Sequence, residues 1–155
     1  RHAKSSWKDS NLTDYERPLN RRGKHNAPLM GKRIKGYSLD IKEFISSPAE
    51  RAKLTTQLIV KEISRKKETI KYEDSLYHGS INDFRNTLDK TSGDVILVLG
   101  HNPGIHSFCY WLCSEPKENF PTCGVALLEI PSHNWRNLQS NSGKLISFEY
   151  PKMFT

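Results

Sequence analysis

The sequence predicts an α/β fold: one domain, with a mostly parallel central sheet and helices on both of its faces. Three observations carry that expectation. Strand-like and helix-like segments alternate along most of the chain, as they do when a sheet is covered by its own crossover helices. The stretch "DVILVLG" (94–100) is apolar without interruption, which suits a parallel strand covered on both sides. A length of 155 residues fits one domain, 1–155, large enough to bury a real core. Linkers, internal repeats and low-complexity tracts are absent from the sequence.

The elements follow in order. "RHAKSSW" (1–7) reads as the loop after a strand, and that first strand is expected to begin upstream of Arg1. "NRRGKHNAPLMGKRIKGY" (20–37) reads as a helix with Asn20 as N-cap and Ala27, Met30 and Ile34 on one face. Pro28 predicts a late start or a kink, and Gly36 is placed to end the helix in a left-handed turn. "IKEFISS" (41–47) is a short strand, followed at once by "PAERAKLTTQLIVKEISRK" (48–66). There Ser47, Pro48 and Glu50 form a capping-box helix start, and Leu54, Leu58, Ile59 and Ile63 give the apolar stripe.

"TIKYE" (69–73) is a candidate strand, and "SINDFRNTLDKT" (80–91) a helix with Ile81, Phe84 and Leu88 on one face. "DVILVLG" is the clearest strand of all. "HNPGIHSFCYWLCS" (101–114) follows as a helix with Asn102 and Pro103 as capping residues. "CGVALLEIP" and "KLISFEYP" close the chain as strands.

Composition narrows the chemistry. No run approaches the roughly 18 apolar residues of a membrane span, and no secretory signal is visible. The net charge of +7 is unevenly placed: residues 1–75 carry 18 Lys/Arg against 10 Asp/Glu, and residues 76–155 carry 6 against 7. That asymmetry points to an anionic partner, although a run such as "SRKKETIK" (64–71) reads as solvated surface. Cys109, Cys113 and Cys123 have neither disulfide nor metal-site spacing. They read as buried free thiols, which suits a cytoplasmic protein.

In open α/β sheets, ligands bind at the carboxyl ends of the strands. That rule gathers "RHAKSSW", "SSPAERA" and "GHNPG" at one edge, two of them leading into helix N-termini that favour an anion. Arg1, Arg51, His2 and His101 would then line one basic pocket. A guanidinium grips phosphoryl oxygens in pairs and keeps its charge. A neutral imidazole nitrogen can attack phosphorus. The field of neighbouring cations is expected to lower the pKa of His2, and a main-chain acceptor on its other nitrogen to fix the tautomer.

With those residues in place, the segments "RHAKSSW", "ERPLNRRG", "SSPAERA" and "GHNPG" together resemble the histidine phosphatase superfamily, whose fold is phosphoglycerate mutase-like. Within it the chain is most similar to the SixA-type phosphohistidine phosphatase branch, with Ala3 where the superfamily signature has glycine. The resemblance implies that His2 is the nucleophile that becomes phosphorylated. It implies that Arg1, Arg51 and His101 hold the phosphoryl group, and that Arg17, with Asn102, adds a substrate contact. No metal or other cofactor is implied.

Larger members of the superfamily carry a carboxylic acid that protonates an alcohol leaving group. The corresponding region here is "YEDSLYHGS" (72–80), with His78 and Asp74 as candidates for that acid. A weak or missing acid tilts the expected substrate toward phosphohistidine, whose imidazole departs easily. The alternatives are a phosphatase of a small phosphorylated metabolite, or a basic phosphate- or nucleic-acid-binding module. The sequence has no nucleic-acid signature, so neither nucleic acid nor membrane is an expected partner. His25, His106 and His133 read as structural or exposed, Trp7, Trp111 and Trp135 as packing residues, with Trp7 also placed to rim the pocket, and Ser5 and Ser6 as partners for loop backbone.

Overall fold

The computed structural model describes residues 1–64, 68–131 and 135–155. The expectation for His133, and that for residues 65–67 of the basic run, lie outside the described residues.

Helix α1 (Arg21–Gly36) is capped by the Asn20 side chain, which accepts from the Gly23 amide at 2.8 Å. It buries Ala27, Met30 and Ile34, as the periodicity predicts. It starts at Arg21 despite Pro28: burial of Ala27 and Met30 around the proline outweighs one missing amide bond. The exit differs from expectation too. No glycine among the described residues has positive φ, and the left-handed turn falls on Ser38 (φ 54°) instead of Gly36.

Strand β1 (Glu43–Ser46) is central. It pairs in parallel with β2 (Ile70–Tyr72) on one side and β3 (Ile96–Leu99) on the other. This parallel sheet is the expected core. Strands β4 (Val125–Glu129) and β5 (Lys144–Glu149) form a separate antiparallel pair. Residues 1–3 bridge the two sheets: His2 N–H donates to the Gly100 carbonyl at 3.1 Å, and Cys123 N–H to the His2 carbonyl at 3.0 Å.

Helices cover both faces. Helix α2 (Glu50–Ile63) packs with α1, and Ile34, Ala52 and Ile59 bury Leu97 and Leu99 of β3. On the other face α3 (Ile81–Asp89) and α4 (Gly104–Cys113) pack Phe84, Leu88, Ile105, Phe108 and Leu112 against Ile45, Ile96 and Val98. Alternate residues of β3 thus face opposite helical layers, which is why its apolar run has no polar interruption. A short 3-10 turn (Asp74–Leu76) sits between β2 and α3, and a second (Pro151–Met153) follows β5.

Three local expectations change. Helix α2 begins at Glu50, capped by Ala49 without a side-chain bond, so the Ser47–Glu50 capping box does not form. The Ser47 hydroxyl is instead engaged by His101. Asn102 does not cap α4; its amide donates to Asn119 and to the Phe120 carbonyl. A true capping box appears where it was not sought, at α3, where Ser80 and Asp83 bond each other's backbone amides. All three cysteines are free; Cys109 and Cys123 are buried, their thiols pushed up to about 12 by burial, while Cys113 is only half-buried. Trp111 and Trp135 pack on the core, whereas Trp7 is 73% exposed.

Gly104 opens α4 against the backbone of Gly79, where a Cβ would run into the Gly79 carbonyl oxygen. Gly36 has open space around it. Gly104→Ala should therefore cost about 2 kcal/mol of stability from overpacking, a drop of roughly 4–8 °C in Tm for a domain of this size. Gly36→Ala should be neutral or slightly stabilising, as alanine is the better helix former. Thermal unfolding of the two variants checks both; equal Tm values would refute the packing argument.

Candidate active site

The sheet brings three loops together at its carboxyl edge: residues 1–7, the turn after β1, and the turn after β3. The imidazole rings of His2 and His101 meet there with centroids 4.8 Å apart. The two rings, so far apart in sequence, share one pocket.

His2 is 8% exposed. Its Nδ1 lies 2.7 Å from the Ala3 carbonyl, an acceptor only, so Nδ1 carries the proton. That leaves Nε2 unprotonated, and its lone pair accepts from the Nε of Arg51 at 3.4 Å. The pKa of His2 is lowered to about 3. Burial is the main cause; the Ala3 contact opposes it, and the charges of Arg51 and Arg1 add to it. The expected field effect is present, then, but desolvation outweighs it.

His101 is 3% exposed, and its Nε2 sits 2.7 Å from the Ser47 hydroxyl. Burial, then the proximity of His2 and Arg51, lowers its pKa to about 2. Its Nδ1 has no protein partner, and neither does the Nε of Arg1.

Arg51 is 4% exposed. One terminal nitrogen donates to the Asp14 carbonyl and the other to Asp14 Oδ2 at 2.9 Å. Arg1 donates from its guanidinium to the Phe120 carbonyl at 2.7 Å, and its pKa is lowered by burial and then by the charge of Arg51. Arg1 and Asn102 both reach the Phe120 carbonyl, which gathers them at one edge of the site. A cavity of about 720 Å³ opens beside them, lined also by His106, Tyr110, Trp111 and Asn119. The amide of Glu50 is taken by the Tyr15 carbonyl, so α2 lends the site Arg51 and not that N–H group.

Arg17 joins the cluster indirectly. It donates to Asp14 Oδ1 from Nε (3.2 Å) and from a terminal nitrogen (2.6 Å), donates to Ser5 Oγ at 3.1 Å, and stacks on the Trp7 ring at 3.5 Å. Trp7 is thus an exposed stacking partner of Arg17, not a core residue. Ser6 accepts from the Lys8 amide, the backbone role expected of it.

Of the candidate acids, His78 lies at the mouth, its ring 4.1 Å from Tyr77 and 6.4 Å from His101. Asp74 is exposed in the preceding 3-10 turn, and Glu73 turns away to pair with Lys90. The sequence reading missed Asp14, and read Ser47 only as a cap. Asp14 stands three residues before Arg17 in "TDYER", a local opposite-charge spacing that is visible in the sequence but common in loops. Among the described residues, no cluster of His, Cys, Asp and Glu is arranged to hold a metal ion.

Comparison with known proteins agrees with this geometry. Residues 1–85 match the family model described as histidine phosphatase superfamily (branch 1). An uncharacterized protein of Mycobacterium tuberculosis is 26% identical over 164 residues, covering 98% of this chain and 99% of its own. An uncharacterized chloroplastic protein of Arabidopsis thaliana is 27% identical, covering 92% and 70%. Among solved structures, the protein histidine phosphatase SixA complexed with tungstate superposes with a TM-score of 0.83 at 20% identity, over 100% of this chain and 96% of that one. A SixA from Agrobacterium tumefaciens superposes with a TM-score of 0.80 at 23% identity, over 97% and 94%. At those identities the structures establish a shared fold, the phosphoglycerate mutase-like one expected above. The family rests on the sequence match over more than half the chain: the protein belongs to the histidine phosphatase superfamily, branch 1, and is a phosphatase.

Proposed function

We propose that the protein is a metal-independent phosphohistidine phosphatase that works through a phosphorylated His2. The supporting observation is the state of His2: its Nδ1 proton is held by the Ala3 carbonyl, while its Nε2 is unprotonated and accepts only a long bond of 3.4 Å from Arg51 Nε, a donor that an incoming phosphoryl group can take over. In the first step Nε2 attacks phosphorus in line, and the P–N bond of the substrate breaks with its electron pair leaving on the imidazole. A remote-nitrogen proton on that imidazole makes it depart neutral. Water then attacks the phosphorus of phospho-His2, losing a proton as the P–Nε2 bond breaks, so that inorganic phosphate leaves and His2 returns to its Nδ1–H form. Arg1, Arg51 and His101 hold the equatorial oxygens throughout, supplying by fixed charge and hydrogen bonds what a metal ion supplies elsewhere.

The leaving group argues for an N–P bond. Asp14 is the carboxylate bonded to Arg51 and Tyr77 beside the pair, and it cannot serve as an acid. Burial raises its pKa, but hydrogen bonds from Tyr77, Arg17 and Arg51 overcome that and hold it well below the ordinary range. His78, at the mouth, is the candidate donor that remains, and Asp74 is not placed for the role. The open cavity beside Arg1 and Asn102 suits a phosphoryl group carried on a protein surface. A cytoplasmic location fits the free thiols, and no described helix is long and apolar enough to cross a membrane.

Three measurements test this reading. p-Nitrophenyl phosphate or a phosphoramidate should turn over in excess chelator. His2→Ala should lower kcat by about 1,000-fold or more, as expected for loss of a nucleophile; residual activity near wild type would sink the mechanism. A phosphohistidine peptide should exceed an alkyl phosphate in kcat/KM by about 100-fold or more, the scale of one proton-transfer contribution. Equal efficiency on both would favour the small-metabolite alternative.

A separate test is stability against pH. His2 and His101 are held neutral in the folded protein, with pKa values near 3 and 2, against about 6.5 unfolded. Below pH 6.5 the unfolded chain therefore binds protons that the folded chain refuses, and stability falls as pH falls. Each histidine costs up to about 1.4 kcal/mol per pH unit, so roughly 2 kcal/mol each is lost between pH 7 and pH 5. Urea unfolding at the two pH values reads this directly; a flat profile would mean that the rings are not buried neutral.

A further inference from the structure

The loop between Ser5 and Leu19 carries no regular element, yet it is firmly held. An antiparallel bridge joins Ser5 to Leu19, Ser6 N–H donates to the Pro18 carbonyl, and Glu50 N–H at the start of α2 donates to the Tyr15 carbonyl. At its inner turn sits Asp14. Its Oδ1 accepts from Arg17 at 3.2 and 2.6 Å; its Oδ2 accepts from Arg51 at 2.9 Å and from the Tyr77 hydroxyl at 2.8 Å. A carboxylate has about four lone-pair sites, and all four are used.

We infer that Asp14 is a positioning residue for the phosphoryl-transfer step, which rests on the function proposed above. Its carbonyl and its carboxylate together take both terminal nitrogens of Arg51. A guanidinium is planar, so fixing two of its corners fixes the third, and that third corner is the Nε facing His2 at 3.4 Å. The position of the cation beside the nucleophile is thereby set by one residue, 37 positions away in sequence. The same carboxylate holds Tyr77, whose ring stands edge-on to His101 with centroids 5.5 Å apart. Asp14 thus ties the cation on one side of the pair to the aromatic wall on the other.

It also supplies charge. Arg17 and Arg51 are both buried, whereas the Asp14 side chain is 42% exposed. The pocket thus keeps two buried guanidinium groups partly neutralised by one carboxylate at its edge, a net positive charge remaining, while Arg51 Nε stays directed at His2. For an incoming phosphate the carboxylate is a weak repulsion, accepted in exchange for an oriented Arg51. Orientation acts on the transition state, and repulsion acts on any bound anion, so the two consequences separate kinetically.

The test is Asp14→Asn, which keeps shape and removes charge, alongside Asp14→Glu, which keeps charge and shifts it by one methylene. Wild type and both variants are compared for kcat on a phosphoramidate, for inhibition by inorganic phosphate, and for Tm. The expected result is a kcat lowered about 10-fold or more in Asp14→Asn, with the phosphate inhibition constant unchanged or tighter. Asp14→Glu should lose at least about 5-fold in kcat with phosphate inhibition near wild type. Two outcomes overturn the assignment: kcat within 2-fold of wild type in either variant, or kcat and phosphate affinity falling together with Tm, the mark of a merely structural tether. Absence of wild-type turnover would overturn the functional reading itself, and this role with it.

Discussion

A neutral imidazole held among fixed cations is the constraint on which this structure turns. A phosphate site needs positive charge, and a nitrogen nucleophile needs a lone pair. The two demands conflict only if the imidazole is itself the cation. Here burial does most of the work of keeping His2 and His101 uncharged, with the arginines adding to it. The Ala3 carbonyl then decides which nitrogen of His2 is left unprotonated. Charge resides on guanidinium groups, which do not titrate, and the nucleophilicity proposed for His2 on a ring that has been kept from titrating. On that proposal one pocket carries both functions without either cancelling the other.

The fold enforces this through a few backbone bonds. His2 is fixed between the end of β3 and the start of β4 by hydrogen bonds to Gly100 and from Cys123. Ala3 N–H donates to the Thr55 hydroxyl, which in turn donates to the Arg51 carbonyl, so the residue next to His2 is tied to the helix that carries Arg51. His101 follows β3 directly and is steadied by Ser47, which follows β1. β1 and β3 are hydrogen-bonded neighbours in register, with Ser46 opposite Leu99. The spacing of Ser47 and His101 is thus a consequence of strand pairing, and the sheet works as a ruler for the site.

Much of this was legible beforehand, for reasons that differ by residue. The apolar run of β3 and the 3–4 spacing of α1 are direct prints of burial, so those elements stand where expected. Arg1, His2, Arg51 and His101 were legible because strand ends gather at one edge of an open sheet. What escaped was polar and local. Ser47 precedes proline and glutamate in a pattern that fits a cap, and only the tertiary position of His101 diverts its hydroxyl. Gly36 was free to take the left-handed turn, yet the turn fell on Ser38. Asp14 lies in a loop with no periodicity to read, and its four donors come from positions 17, 51 and 77. No window along the chain contains that coincidence.

The chemistry at the mouth follows from the same arrangement. A site that hydrolyses alkyl phosphates must deliver a proton to the departing oxygen, and a carboxylic acid does so only if its surroundings keep it protonated. The surroundings of Asp14 do the reverse: two guanidinium groups and a phenol all stabilise its charge. Tyr77 already donates its hydroxyl proton to that carboxylate, and loss of the proton is further resisted by burial and by Asp14 itself. Strong orientation of Arg51 and strong acidity of Asp14 are therefore mutually exclusive in this geometry. Under the function proposed here, a pocket built on the first suits leaving groups that need little help, and a displaced imidazole needs less of it than an alkoxide does.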